Sequence, residues 1–236
     1  MSELYMIRHG QASFGEKNYD RLSPTGVAQA EIIARHWVAI GRKTDAIYVG
    51  SMERQIDTAD ALVSAFKDRG IPVPDINTEE ALNEYDSESV LKSQIPGMIQ
   101  ENPSTAEKLP HLLRDKEIFH ELFHQAMNRW VSGSCDVPGN TTWNDFKQRV
   151  QGGVQGIMQT QGAQKRLLIF TSGGPISVAV QKALGLTDQM AMTVAWQIMN
   201  ASITRFKYNT QGIALAGFND VTHLELENDK NLLTYR

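Results

Sequence analysis

The chain has 236 residues, of which 41% are hydrophobic and 21% are charged. This balance is typical of a globular protein and excludes a disordered, collagen-like or fibrous chain. Lysine and arginine number 23 against 27 aspartates and glutamates, a net charge of −4, which argues against a general nucleic-acid binder. Cys135 is the only cysteine, so no internal disulfide can form and we expect a reducing compartment.

The first residues have the pattern of a buried strand and not of an export signal. Residues 4–7 are apolar, and Arg8 ends the run, which is too short for the core of a signal peptide. No segment approaches the roughly 18 apolar residues that a membrane helix needs. We therefore expect a cytoplasmic protein without a membrane partner.

The segments that follow alternate between short apolar strands and helices. The predicted strands are residues 4–7, 46–49, 166–171, 201–208 and 212–218, and the predicted helices are residues 24–40, 52–66, 143–158 and 173–184. Ser23 precedes Pro24 at the start of the first helix, which is a common N-cap arrangement. Because strands and helices alternate, the order predicts an α/β domain with a mainly parallel sheet.

Residues 91–140 differ in character from the rest of the chain. They contain Pro96, Pro103 and Pro110, several helical patches and a glycine-rich end. We interpret this segment as a helical cap inserted into a single domain that spans residues 1–236.

Polar segments follow three predicted strands, at the edge of the sheet where open α/β folds bind ligands. Arg8-His9-Gly10 follows the first strand, residues 51–54 follow the second, and Ser172-Gly173-Gly174 follows the central one. Glu84 lies in a further loop. These residue types in this order indicate a site for an anion.

The chemistry that these residues favour is phosphoryl transfer. The guanidiniums of Arg8 and Arg54 can clamp a phosphoryl group, and a neutral His9 can attack phosphorus. Glu84 can protonate the departing oxygen if its pKa is raised. The turn at Ser172 directs backbone N–H groups and a helix N-terminus toward an anion.

The sequence resembles the histidine phosphatase superfamily, which has the phosphoglycerate mutase-like fold. The matching segments are residues 4–11, 22–26, 29–30, 51–54, 58–59, 82–84, 173–176, 219–220 and 223–224. The resemblance implies an α/β three-layer sandwich, with a mixed, mostly parallel sheet flanked by helices and an inserted helical cap. It also implies that no metal or organic cofactor is needed.

The resemblance further implies roles for individual residues. His9 is the expected nucleophile, which forms a phosphohistidine, and Glu84 is the expected proton donor. The residues expected to bind the substrate are Arg8, Gln11, Arg21, Arg54, Ser172 and Gly173. We expect the substrate to be a phosphorylated small molecule or a phosphoprotein.

Ser172 departs from the superfamily pattern, which places a second histidine directly before the Gly-Gly pair. A serine can donate one hydrogen bond but brings no positive charge, and losing such a donor typically lowers the rate by roughly 10²–10³. Two hypotheses follow. The protein is an active phosphatase in which Ser172, His223 or a cap histidine compensates, or it binds phosphorylated ligands or proteins with little turnover.

The loop over residues 12–21 is shorter than in mutases that use bisphosphoglycerate. This favours phosphatase activity over mutase activity. Lys17 and Arg21 lie in this loop, where they either add positive charge at the mouth of the site or are ordinary surface charges.

Two other motifs compete with this interpretation. His120-Glu121-Leu122-Phe123-His124 fits the H-E-x-x-H zinc pattern, but Met127 and Trp130 occupy the positions of the glycine and third histidine in the extended motif. An amphipathic helix is the simpler interpretation. The second motif is Ser172 at a strand-to-helix turn, which is where a serine hydrolase carries its nucleophile. The G-x-S-x-G pattern of that turn needs a glycine two residues earlier, and Phe170 occupies this position, which argues against a serine hydrolase.

Overall fold

The sheet is mixed and mostly parallel, as predicted. The structure is a computed structural model that describes residues 2–13, 16, 18–112 and 114–235. Its strands are β1 (Ser2–Arg8), β2 (Ala46–Val49), β3 (Ile76–Thr78), β4 (Arg166–Thr171), β5 (Ile203–Asn209) and β6 (Gly212–Asp220). They form one sheet in the order β3-β2-β4-β1-β5-β6. The first four strands in this order are mutually parallel, whereas β5 and β6 are antiparallel to their neighbours.

Helices flank the sheet on both faces. They are α1 (Pro24–Ala39), α2 (Glu53–Asp68), α3 (Ser87–Glu101), α4 (Ser104–Lys108), α5 (Lys116–Ser132), α6 (Trp143–Gln161), α7 (Gly173–Leu184), α8 (Asp188–Gln197) and α9 (Thr222–Glu225). One core lies between the sheet and helices α1 and α2. A larger core lies between the other face and helices α3 and α5 to α8.

Strand β4 holds the two cores together because its side chains alternate between them. Leu167 and Ile169 belong to one core and Leu168 and Phe170 to the other, and all four are fully buried. Burying each such side chain contributes roughly 1.5–3 kcal/mol. A strand covered on both faces therefore appears in the sequence as a continuous apolar run.

The predicted helix start at Ser23 is confirmed. Its side-chain oxygen accepts a hydrogen bond from the Gly26 N–H at 3.0 Å, with Pro24 at the first helical position. Strand β3 and helix α8 were not predicted. The described side chains of β3 are exposed in an acidic stretch, so no apolar run marks it, and pairing with β2 supplies its hydrogen bonds.

Helices α3 to α5 occupy most of the segment predicted as a cap. Helix α3 begins at Ser87, slightly before that segment, and the buried face of α5 (Leu122, Ala126, Met127 and Trp130) joins the larger core. The role of residues 91–140 as a cap stays a prediction. Within the described ranges, no helix has both the length and the apolar character required to cross a membrane.

Candidate active site

The ends of β1 and β4 bring two of the predicted segments side by side. Arg8 pairs with Thr171 in the parallel register, and the His9 N–H donates to the Thr171 carbonyl at 2.9 Å. Gly10 follows, where the chain passes against the first turn of α1. A Cβ at this position would lie 2.3 Å from the Gly26 carbonyl oxygen, so only glycine permits this close approach.

The His9 ring is fixed in one tautomer by its two neighbours. Nδ1 lies 2.7 Å from the Gly10 carbonyl oxygen, which can only accept a hydrogen bond, so Nδ1 carries the hydrogen. Nε2 accepts a hydrogen bond from Arg54 Nε at 3.0 Å and therefore presents its lone pair. Burial and the charges of Arg54 and Arg8 hold the pKa of His9 well below its usual value. The ring is thus neutral and nucleophilic at Nε2.

Arg54 lies in the first turn of α2 and is held there by an acidic partner that was not predicted from the sequence. Its Nη1 forms an ion pair with Asp20, and its Nη2 lies 3.2 Å from the Met52 sulfur. The other carboxylate oxygen of Asp20 accepts from the Glu53 N–H at 2.8 Å. Asp20 therefore both caps α2 and orients the guanidinium that faces His9.

Arg8 lies beside the start of α7. Its Nη1 donates to the Ile198 carbonyl oxygen. A Cβ at Gly173 would lie 3.9 Å from the Arg8 guanidinium carbon, so the backbone at the beginning of α7 runs close to this positive charge.

Glu84 occupies the N-terminal end of α7. Its Oε2 accepts from the Gly174 N–H at 3.0 Å, so this carboxylate takes up one of the backbone donors that the sequence directs toward an anion. Desolvation raises the pKa of Glu84 above its usual value, against the opposing effects of the Gly174 N–H and of Arg54 and Arg8. A raised pKa suits a carboxylic acid that must deliver a proton.

Ser172 is fully buried at the N-cap position of α7. Its Oγ accepts from the Gln55 side-chain N–H at 2.8 Å. Gln55 was not predicted as a site residue; it follows Arg54 on α2 and is itself fully buried.

Most of the chain matches the model of one protein family. Residues 4–132 and 111–221 match the histidine phosphatase superfamily (branch 1). The chain belongs to this superfamily. No curated protein sequence matches the chain.

Solved structures of phosphatases and mutases share the fold. A phosphoserine phosphatase mutant from Entamoeba histolytica, in complex with phosphoserine, has a TM-score of 0.64 and 17% identity, and the match covers 95% of this chain and 100% of that one. A mycobacterial glucosyl-3-phosphoglycerate phosphatase has a TM-score of 0.58 and 20% identity, covering 92% and 98%. A phosphoglycerate mutase from Bacillus anthracis has a TM-score of 0.63 and 13% identity, covering 97% of both chains. Because these sequence identities are low, the three likenesses show only that the fold is shared.

Two residues expected to bind the substrate, Gln11 and Arg21, contact other side chains. Gln11 accepts from the Ser23 hydroxyl at 2.9 Å through its side chain. Arg21 is exposed and forms an ion pair with Glu53, with Nε and Oε1 separated by 3.6 Å. Lys17 lies outside the described residues. Substrate binding by Gln11 and Arg21 stays a prediction.

The remaining histidines have other surroundings. His223 is buried, with Nε2 2.9 Å from the Ala201 carbonyl oxygen and its ring 5.3 Å from that of His36. His124 packs on Trp196 with ring centroids 4.2 Å apart. Among the described residues, no group of three or more histidine, cysteine, aspartate or glutamate side chains is arranged to hold a metal ion. Glu121 of the H-E-x-x-H segment instead pairs with Lys108.

Proposed function

We propose that this member of the superfamily is a phosphatase, which hydrolyses phosphomonoesters through a phosphohistidine on His9. The observation that carries the proposal is the setting of the His9 ring. Its Nδ1–H donates to the Gly10 carbonyl, and its Nε2 lone pair meets Arg54 at 3.0 Å. A neutral nucleophile therefore faces a guanidinium that can hold the group under attack.

Binding comes first. Arg54 and Arg8 neutralise the phosphoryl charge, and the hydroxyl of Ser172 and the backbone at Gly173 contact its oxygens. Charged phosphoryl oxygens are better acceptors than a neutral imidazole. They take over the Arg54 N–H, which leaves the Nε2 lone pair facing phosphorus.

In the first chemical step, Nε2 of His9 bonds to phosphorus and the bond from phosphorus to the ester oxygen breaks. Glu84 gives its proton to that oxygen, so the product leaves as a neutral alcohol. The ring gains positive charge as it becomes phosphorylated. The hydrogen bond from Nδ1 to the Gly10 carbonyl strengthens as a result.

In the second step, water attacks phosphorus and the bond between nitrogen and phosphorus breaks. The Glu84 carboxylate accepts a proton from the water and recovers its acidic form. Inorganic phosphate leaves, and His9 returns to its neutral state. Glu84 gives one proton and regains one from water, and Arg8 and Arg54 balance the phosphoryl charge, so we propose that activity does not depend on a metal.

The proposed substrate class is the phosphorylated small molecule. Structural neighbours named as phosphoserine phosphatase and glucosyl-3-phosphoglycerate phosphatase support this class, and the short loop over residues 12–21 supports hydrolysis over a mutase reaction. We place the reaction in the cytoplasm.

The test is phosphate release from a broad panel of phosphomonoesters between about pH 5 and 8. Wild type is compared with His9→Ala, each with and without a chelator, and circular dichroism checks that the variant is folded. Release that resists the chelator and is lost in His9→Ala supports the proposal. Release that survives in His9→Ala overturns the mechanism. Tight phosphate binding without release from any compound overturns hydrolysis and favours the binding role.

A further inference from the structure

A buried pair of side chains, Gln55 and Ser172, lies next to the predicted phosphoryl site. Both residues have no exposed surface. Gln55 follows Arg54 on α2, and Ser172 precedes Gly173 at the start of α7. The Gln55 Nε2 donates to Ser172 Oγ at 2.8 Å and also lies 3.3 Å from the Leu82 carbonyl oxygen.

The Leu82 carbonyl decides which way the Gln55 amide points. A carbonyl oxygen only accepts hydrogen bonds, and this one also accepts from the Thr171 hydroxyl at 2.6 Å. Were the amide reversed, two oxygens would face each other across 3.3 Å. The NH₂ group must therefore face Leu82, and its second hydrogen goes to Ser172.

This orientation fixes the role of the Ser172 hydroxyl. A hydroxyl has one hydrogen to donate and two lone pairs to accept with. Gln55 occupies the accepting side. Within the described part of the chain, no side chain or carbonyl receives the hydroxyl hydrogen, so it is available for a phosphoryl oxygen held beside Arg8 and Arg54.

The amide is also locked by its packing. Gln55 Oε1 fills the space above Gly50, where a Cβ would lie 1.9 Å from it. Among the described residues this buried oxygen has no hydrogen-bond partner, an arrangement that costs stability.

We infer that Gln55 is a positioning residue, which holds Ser172 as a hydrogen-bond donor to the transferring phosphoryl group. The Gln55–Ser172 pair thereby provides a contact where the superfamily pattern has its second histidine. The inference rests on the proposed function, since it concerns the same site.

The test is a double-mutant cycle with Gln55→Met and Ser172→Ala. Methionine has nearly the same length but no N–H to donate. We expect Gln55→Met to lower kcat by about 10-fold, less than the roughly 10²–10³-fold loss of a whole oxyanion donor, with little change in KM. If Gln55 acts through Ser172, the same substitution has no effect on kcat in the Ser172→Ala background.

Gln181 offers a matched control. It is a buried glutamine near the C-terminal end of α7, it donates to the Leu186 carbonyl at 3.2 Å, and its Oε1 likewise has no partner among the described residues. We expect Gln181→Met to keep the wild-type kcat. Should Gln55→Met fail to fold, Gln55→Leu also removes the N–H donor with an apolar side chain of similar volume, and the same cycle with Ser172→Ala applies.

An unchanged kcat in Gln55→Met, or an equal fall in both backgrounds, overturns the inference while leaving the phosphatase proposal intact. A wild type without phosphate release overturns the phosphatase proposal instead. In that case the affinity for inorganic phosphate is measured by calorimetry for the same set of variants. Gln55→Met must then weaken phosphate binding with Ser172 present and leave it unchanged in Ser172→Ala, and any other pattern overturns the inference.

Discussion

Replacing Gly174 by alanine tests whether Glu84 is the proton donor without removing its carboxyl group. The new methyl group would lie 2.0 Å from Glu84 Oε1 and 3.0 Å from the Phe146 ring. Ordinary contact begins near 3.4 Å, so the carboxyl oxygen must move by about 1.4 Å. That movement also separates Glu84 from the Gly174 N–H, which now lies 3.0 Å from Oε2.

The expected loss is in the chemical step. A misplacement of about 1 Å at a reacting group lowers the rate by roughly 10²-fold, and a general acid is worth roughly 10²–10⁴-fold in all. We therefore expect kcat for an alkyl phosphate to fall by about 10²-fold. Stability should fall by only about 1 kcal/mol, because the lost hydrogen bond is partly offset by alanine's preference for helix.

The assay is steady-state phosphate release, with thermal unfolding measured on the same samples. Gly156→Ala is the control, because Gly156 lies in α6 and a Cβ there would meet nothing within 4 Å. This variant should keep full activity. Full activity in Gly174→Ala, with the fold preserved, would refute the assignment of Glu84 as the acid.

Further predictions concern the leaving group, the counter-charge of Arg54 and the dependence of stability on pH. Glu84→Gln should lower kcat by roughly 10²–10⁴-fold for alkyl phosphates. The loss should be much smaller for aryl phosphates, because a phenolate leaves without a proton. An equal loss for both substrates would contradict the role of Glu84 as the acid. Asp20→Asn removes a negative charge beside Arg54 but keeps a hydrogen-bond acceptor. The inhibition constant of inorganic phosphate should therefore fall about 5-fold. A higher inhibition constant would contradict the role of Asp20 as the counter-charge of Arg54. Burial lowers the pKa of His223 to about 4, so unfolding allows protonation below pH ~6.5. The free energy of unfolding should fall by up to about 3 kcal/mol between pH ~6.5 and ~4, and urea titrations of His223→Gln should show a smaller fall than wild type.

The elements that the sequence predicts best are those with a local signal. The strand over residues 166–171 matches β4 because burial on both faces requires an unbroken apolar run. The helix from residue 24 is marked by Ser23 and Pro24, and a side-chain hydrogen bond at its start confirms the cap. Strand β3 lacks such a signal because it is exposed.

The positions of Arg8, His9 and Arg54 follow from a single physical rule. Residues at the carboxyl ends of neighbouring parallel strands meet at one edge of the sheet. Since β1 and β2 both pair with β4, segments that are far apart in the sequence converge there. The order of strands and polar segments was therefore enough to predict this grouping.

Asp20 and Gln55 could not be found in this way. Asp20 lies in a polar loop and reaches Arg54 across 34 positions of the chain. Gln55 reaches Ser172 across 117 positions. Such contacts depend on how α2 is rotated against the sheet, which the pattern of the helix alone does not specify. The H-E-x-x-H segment has the same limit. A zinc site needs a third ligand close in space, and the spacing of residues along one helix does not show whether such a ligand is there.

In the proposed reaction the phosphoryl group passes through a covalent bond to His9. The most direct measurement mixes the enzyme with a substrate, stops the reaction in alkali within one turnover, and maps phosphorylated peptides by mass spectrometry. We expect the mass of one phosphoryl group on the peptide that contains His9, formed as fast as the alcohol is released. Steady phosphate release with the phosphoryl group on another residue, or on none at any time during the turnover, would contradict it.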